Sequence, residues 1–182
     1  MYSLWLIPED KSFTKYSDVI EGFSKKFKTP YFEPHITLLG NIKSIDDEAM
    51  YGLSVLAAVT EKFTIQLRQL TFQNDYYRCF YLLVEQTPQL YNLYQEAQQI
   101  FENNTDKYTF MPHLSLIYHN MGANQKKKLI KKLGKSLNGK IKINRLRLVK
   151  TAGAVKDWQL VEEFPFWNKD EQVEENLAFF GY

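Results

Sequence analysis

Phe32-Glu33-Pro34-His35-Ile36-Thr37-Leu38-Leu39 and Phe110-Met111-Pro112-His113-Leu114-Ser115-Leu116-Ile117 are two copies of one pattern, Phe-x-Pro-His-apolar-[Thr/Ser]-Leu-apolar. The chain has only three histidines, and two of them hold the same place in this pattern. On a strand, residues i and i+2 point to one face. His35 therefore projects with Thr37, and His113 with Ser115, while Ile36, Leu38, Leu114 and Leu116 face the other way and can pack under helices. Each proline keeps the residue ahead of it extended and sets the entry to the strand. If the two halves around these copies are related by a pseudo-twofold axis, both His/hydroxyl pairs line one cleft.

Working outward, the pattern sits in a repeated order of elements. Tyr2 to Ile7 is a short apolar run ended by Pro8, a first strand. Tyr16, Val19, Ile20, Phe23 and Phe27 fall on one helical face, and Thr29-Pro30 ends that helix. His35 to Leu39 is the second strand, stopped by Gly40-Asn41. Ser44-Ile45-Asp46-Asp47 resembles a capping box and opens a helix through about Val59. Phe63, Ile65 and Leu67 alternate as a third strand, and Tyr77 to Val84 is a fourth, with a turn at Gln73-Asn74-Asp75 between them.

In the second half Thr87-Pro88 starts a helix as N-cap and first helical residue. Leu90, Leu93, Tyr94, Ala97 and Phe101 line its apolar face. His113 to Tyr118 is a strand. Leu129, Ile130, Leu133 and Leu137 mark a further helix ending near Gly139. Ile141 and Ile143 alternate in one phase and Leu146 and Leu148 in the other, which places a bulge or break at Asn144-Arg145. Asp157 to Phe164 reads as the last strand. Phe166, Trp167, Phe179, Phe180 and Tyr182 in the tail point to a docked segment.

The order is βαβαββ followed by αβαββ. It predicts an α+β, duplicated bilobal fold with antiparallel sheets lining a central cleft and helices outside. No linker-like stretch divides the chain, so residues 1–182 are read as one domain of two lobes.

Composition bounds the function. The 182 residues are 45% hydrophobic and 15% aromatic, which excludes a disordered chain. The formal charge of +2 argues against a general nucleic-acid coat while leaving room for a local phosphate pocket. Cys79 is the single cysteine, so no intrachain disulfide can form, as suits a reducing cytosol. The N-terminus lacks a basic segment and a long apolar run, and no stretch approaches a membrane span. A cytoplasmic, soluble chain with no membrane partner is expected, and a monomer is the default.

The residue pattern suits phosphate chemistry. Histidine has an ordinary pKa of roughly 6.5, so of two imidazoles in one cleft one can be neutral and the other charged near neutral pH. The neutral ring could deprotonate a water and the charged ring could protonate the leaving oxygen. The hydroxyls of Thr37 and Ser115 could donate to the non-bridging phosphate oxygens, where charge builds. No Cys/His or Asp/Glu cluster has metal-ligand spacing and no Gly-rich phosphate loop occurs, so neither metal nor cofactor is expected.

With these residues in view, the chain resembles the two-histidine phosphoesterases, marked by two His-x-[Thr/Ser]-x motifs. Among them it is most similar to the plant and fungal cyclic phosphodiesterases. The similarity is carried by Tyr2-Ser3-Leu4-Trp5-Leu6-Ile7-Pro8, by Phe32 to Thr37, by Arg78-Cys79-Phe80-Tyr81-Leu82-Leu83 and by Met111 to Tyr118, and it extends to about Thr151. The resemblance implies hydrolysis of ADP-ribose 1″,2″-cyclic phosphate and nucleoside 2′,3′-cyclic phosphates to the 1″- or 2′-phosphate. It implies His113 as base and His35 as acid at the 3′-side oxygen, with Tyr118 and Trp5 beside the phosphate. The alternatives are a 2′,3′-cyclic phosphodiesterase of the 2′–5′ RNA ligase-like branch acting on RNA 3′ ends, and a non-catalytic nucleotide-phosphate-binding module. The absence of an arginine soon after the second motif counts against the first of these.

Other residues read as structural. His119 lies outside both motifs and suits loop or surface packing. Cys79 suits a buried small hydrophobe. Lys126, Lys127, Lys128, Lys131 and Lys132 read as a solvated helix face, with phosphate steering, joined by Lys140, Lys142, Arg145 and Arg147, as the alternative. The loop from Phe72 to Tyr77, a turn with aromatics, is the segment best placed to move over the cleft.

Overall fold

The computed structural model describes residues 1–106 and 109–167. Its elements run β1 (Tyr2–Pro8), α1 (Asp10–Phe27), β2 (Ile36–Ile42), α2 (Asp47–Val59), β3 (Phe63–Thr71), β4 (Phe80–Val84), α3 (Pro88–Ile100), β5 (His113–Ile117), α4 (Ala123–Leu133), β6 (Gly139–Lys150) and β7 (Gln159–Pro165). This is the element order read from the sequence. Every pairing between these strands is antiparallel, in the order β1-β2-β5-β4-β3-β6-β7, with β1 also paired to β6.

Strand β6 creates two arms. Its second part lies between β1 and β7, with Leu4 opposite Leu148 and Leu146 opposite Phe164. Its first part pairs with β3, with Ile65 opposite Ile141. One arm is therefore β2-β1-β6-β7 and the other β5-β4-β3-β6. They also meet at one residue pair between the motif strands, Ile36 with Leu114. The repeat that explains this is βαβαβ twice: β1 and β2 are completed by β6 from the second half, and β4 and β5 by β3 from the first. The helices follow the same exchange, since α1 packs against β5 and α3 against β2.

The sheet faces under the helices form the core. Leu4, Leu6, Ile36, Leu38, Leu114 and Leu116 are buried there with Tyr16 and Ile20 of α1, Leu90 and Ala97 of α3, and Cys79. Trp5, Ile7 and Val149 form a separate small cluster on the opposite face, the side of the cleft.

Local differences from the sequence reading have local causes. Strand β2 does not stop at Gly40-Asn41. It passes through a bulge between Leu39 and Ile42, and Asn41 takes a positive φ of 60°, which asparagine tolerates. Helix α2 is capped by Asp46, whose carboxylate accepts from Ala49 N at 2.8 Å, not by Ser44, which bonds Asn104 instead. Strand β4 begins three residues after Tyr77, because Asp75 Oδ1 accepts from both Tyr77 N and Arg78 N and holds a turn there. Helix α4 ends at Leu133, where Gly134 supplies the positive φ of the terminus, so Leu137 is buried beyond the helix. The phase slip in β6 is a bulge: Ile7 faces Arg145 and Pro8 faces Ile143, leaving Asn144 extra. Phe166 packs on Phe63 and Trp167 N bonds Thr60 O, while Phe179, Phe180 and Tyr182 lie outside the described residues. No described helix is long and apolar enough to cross a membrane.

Candidate active site

His35 immediately precedes strand β2 and His113 opens β5, and both line one cleft of about 560 Å³ with Trp5, Thr37, Ser115 and Tyr118. A volume of this size suits a nucleotide-sized ligand. All six residues singled out in the sequence thus come together in one place.

Each histidine is held in the same way. His35 Nδ1 lies 2.6 Å from Glu33 O, and His113 Nδ1 lies 2.7 Å from Met111 O. In both cases the carbonyl is two residues back, across the motif proline. A carbonyl only accepts, so each Nδ1 carries the hydrogen and each Nε2 is the basic nitrogen. The proline that sets strand entry also presents the carbonyl that fixes the tautomer. On the neighbouring strand, Trp5 stands opposite Thr37 and Tyr81 opposite Ser115. The two aromatics are counterparts in the two arms, a relation that the sequence motif did not reveal.

The surroundings then diverge. Trp5 stacks on His35 with ring centres 3.7 Å apart and planes 9° from parallel. Phe32 meets His35 edge-on, and Tyr118 Oη lies 3.5 Å from His35 Nε2. His35 is 5% exposed, and burial pushes its pKa down to about 4, with a further push from His113. Tyr81 meets His113 edge-on at 4.9 Å, and His113 is only partly buried. Burial lowers the pKa of His113 too, and the Arg78 guanidinium adds to this while Asp75 opposes it. Burial pushes the Tyr118 phenol upward, so it stays protonated and can donate.

Ser115 Oγ donates to Tyr77 O at 3.0 Å, so its one hydrogen already points at the β3–β4 loop. That loop contributes Asp75, Tyr77 and Arg78 to the cleft wall. Arg78 is a cation of this wall that lies outside both motifs, because it precedes β4 and reaches the cleft only through the fold. Trp158 was missed. It follows β6 in the chain, contacts Trp5, Tyr77 and Tyr118, and makes one end of the cleft aromatic. Ser3, Asn41, Thr109 and Thr151 add polar groups to the lining.

The basic groups proposed for steering are placed differently from one another. Lys127, Lys128, Lys131 and Lys132 are exposed on α4, and Lys140 and Lys142 on β6. Lys126 is buried, contrary to the expectation of a wholly solvated face, since it points inward beside Leu129. Arg147 donates to Glu163 at 2.5 Å and Glu33 at 2.7 Å, and Arg145 pairs with Asp10 and Glu163. Their charges are met by carboxylates, so they brace the fold; Arg147 holds the very residue whose carbonyl orients His35. His119 packs in a loop, its N–H on Tyr76 O. Among the described residues no group of three or more His, Cys, Asp or Glu side chains could hold a metal ion.

The family described as cyclic phosphodiesterase-like protein matches residues 1–166. The cyclic phosphodiesterase of Arabidopsis thaliana is 28% identical over 155 residues, covering 83% of this chain and 85% of that protein. The 2′,3′-cyclic-nucleotide 3′-phosphodiesterase of Yarrowia lipolytica is 27% identical over 143 residues, which span 72% of this chain and 63% of that longer protein. Escherichia coli LigT, solved with 3′-AMP, shares the fold with a TM-score of 0.60 at 14% identity, over 92% of this chain and 98% of LigT. A Thermus thermophilus protein does so with a TM-score of 0.61 at 15% identity and the same coverage. Matched along nearly its whole described length, and with both motif histidines turned into one cleft, this chain belongs to the cyclic phosphodiesterase-like proteins, enzymes of the two-histidine phosphoesterase class.

Proposed function

We propose that the protein hydrolyses small cyclic nucleotide phosphates, nucleoside 2′,3′-cyclic phosphates and ADP-ribose 1″,2″-cyclic phosphate, by acid–base catalysis between His35 and His113 without a metal. The observation that carries this is the matched pair of imidazoles, each with Nδ1 tied to a backbone carbonyl and both lining one cleft. For a 2′,3′-cyclic phosphate, one Nε2 takes a proton from water as its oxygen bonds to phosphorus. The P–O3′ bond breaks, and the other Nε2–H gives its proton to O3′, leaving the 2′-phosphate. Thr37, Tyr118 and Arg78 face the phosphate charge. Ser115 joins them if its hydroxyl turns from Tyr77 O. The aromatic end made by Tyr77 and Trp158 suits a base, and since all these groups come from one chain a monomer suffices.

The resemblance makes His113 the base and His35 the acid. Burial favours the reverse, because His35, the more deeply desolvated ring, is the one held neutral. An aryl phosphodiester, whose leaving group needs no protonation, separates the two assignments. It restores rate to the variant lacking the acid and not to the variant lacking the base.

The first test is a panel of cyclic phosphates incubated in excess EDTA, with the product isomer identified. Turnover to a 2′- or 1″-phosphate is expected, and a requirement for divalent metal would refute the mechanism. Including an oligonucleotide ending in a 2′,3′-cyclic phosphate decides between a small substrate and an RNA 3′ end. Tight binding with no product on long incubation would instead mark a binding module.

A further inference from the structure

Lys126 is a buried cation that the proposed acid–base chemistry does not use. It is 1% exposed, although Lys127 and Lys128 beside it are in solvent. It lies in the first turn of α4, the end of a helix where a positive charge is disfavoured. Its Nζ donates to Gln73 O at 2.8 Å and to Asn74 Oδ1 at 3.1 Å, and lies 4.9 Å from the centre of the Phe72 ring. Both acceptors are uncharged oxygens, so the ammonium is satisfied by the loop alone. Burying a charge is unfavourable unless such bonds replace its water.

All three partners belong to the start of the β3–β4 loop, whose later residues form the cleft wall. Tyr77 O receives the Ser115 hydroxyl, Tyr76 O receives His119 N, and Asp75, Tyr77 and Arg78 line the cleft. Gln73 N bonds Arg78 O at 2.9 Å, so the anchored residue is tied directly to the arginine. The loop is thus pinned on one side by the Lys126 ammonium and on the other by the strand that bears His113.

We propose that Lys126 is a positioning residue, which holds the β3–β4 loop so that Arg78 meets the phosphate. The assignment of a phosphate to this wall rests on the function proposed above. The anchoring does not, and the two are tested by separate readouts.

Wild type, Lys126→Met, Lys126→Arg and Asn74→Ala are compared in two assays. The first is hydrogen–deuterium exchange of the unliganded proteins over peptides covering residues 72–79. The second is steady-state turnover of a nucleoside 2′,3′-cyclic phosphate in EDTA, with melting temperature measured alongside. Lys126→Met should speed exchange in the loop and raise KM about tenfold with kcat changed less than threefold. Lys126→Arg should recover part of both effects, and Asn74→Ala, an exposed position that leaves the core intact, should shift both in the same direction by less. A lowered melting temperature with unchanged KM and unchanged loop exchange would make Lys126 a structural residue and overturn the proposal. If Lys126→Met does not fold, unchanged exchange and KM in both other variants overturn it equally. If wild type turns over no cyclic phosphate, the function fails, while the exchange data still decide whether Lys126 anchors the loop.

Discussion

The two arms of the molecule solve one local problem identically and a second one differently. Each motif ties Nδ1 of its histidine to the carbonyl two residues back, and each sets an aromatic of the adjacent strand opposite its hydroxyl residue. Over His35 that aromatic is Trp5, stacked face to face; beside His113 it is Tyr81, edge-on. The first histidine is sealed by Trp5, Phe32 and Tyr118, and the second remains partly open near Arg78 and Asp75. Duplication supplies two equal imidazoles, and their unequal covers separate their proton affinities. In the proposed chemistry such a separation helps to assign one ring as acid and the other as base.

The harshest way to break the comparison is to remove either ring. His35→Ala and His113→Ala should each lower kcat by about 10²–10⁴-fold, with circular dichroism unchanged. Retention of near-wild-type turnover in either variant would end the two-histidine mechanism. If the arms differ only in their covers, the same two variants should differ in their rescue by the aryl ester.

Next in size is the effect of pH on stability. In the unfolded chain His35 titrates near its ordinary 6.5, while in the folded protein it titrates at about 4. As pH falls through this window the unfolded state binds the proton first, so stability is lost, by about 3 kcal/mol at the lower end. Above 6.5 both states are neutral and this contribution is flat. Urea titrations of wild type and His35→Gln between these values should show a steeper loss in wild type; parallel curves would contradict the burial argument. His35 also feels the charge of His113, which pushes its pKa further down. In the proposed mechanism the active free enzyme carries one proton on the pair, so kcat/KM should peak below pH 6.5 and decline toward neutrality, as steady-state rates across pH would show.

A gentler change sharpens the contrast. Trp5→Leu uncovers His35 and should raise its pKa by about one unit, a tenfold change in proton affinity, seen in an NMR titration of the ring. Tyr81→Leu should move His113 less, because an edge-on neighbour excludes less water. Equal shifts in the two variants would mean that the aromatics do not set the difference. The smallest effect is expected from Arg147→Met, which frees Glu33 and loosens the carbonyl behind His35. A loss of about threefold in kcat/KM for the cyclic phosphate, without a change at His113, is expected; a His113 shift of the same size would place the role of Arg147 elsewhere.

Much of this was legible in one dimension. Alternation on a strand is set by backbone geometry, so His35 with Thr37 and His113 with Ser115 could be paired from spacing alone. Helix faces, the Thr87 cap and the bulge near Asn144 follow from local chemistry in the same way. Boundaries at Gly40-Asn41, Ser44 and Leu137 were misplaced because a bulge, a competing cap and a glycine terminus are chosen by neighbours several residues away. Arg78 and Trp158 reach the cleft through two different loops; Arg78 stands in a stretch that carries the resemblance, but neither residue lies in the repeated motif. Lys126 shows the limit most clearly, since within a run of lysines its inward direction depends on what the β3–β4 loop offers it. The sequence by itself determined the element order, the repeated motif and the chemical type of the site, because those depend on local geometry and side-chain identity. Only the tertiary structure decided which half completes which sheet, which aromatic covers which imidazole and which lysine is buried, because these depend on desolvation and on contacts between residues far apart in the chain.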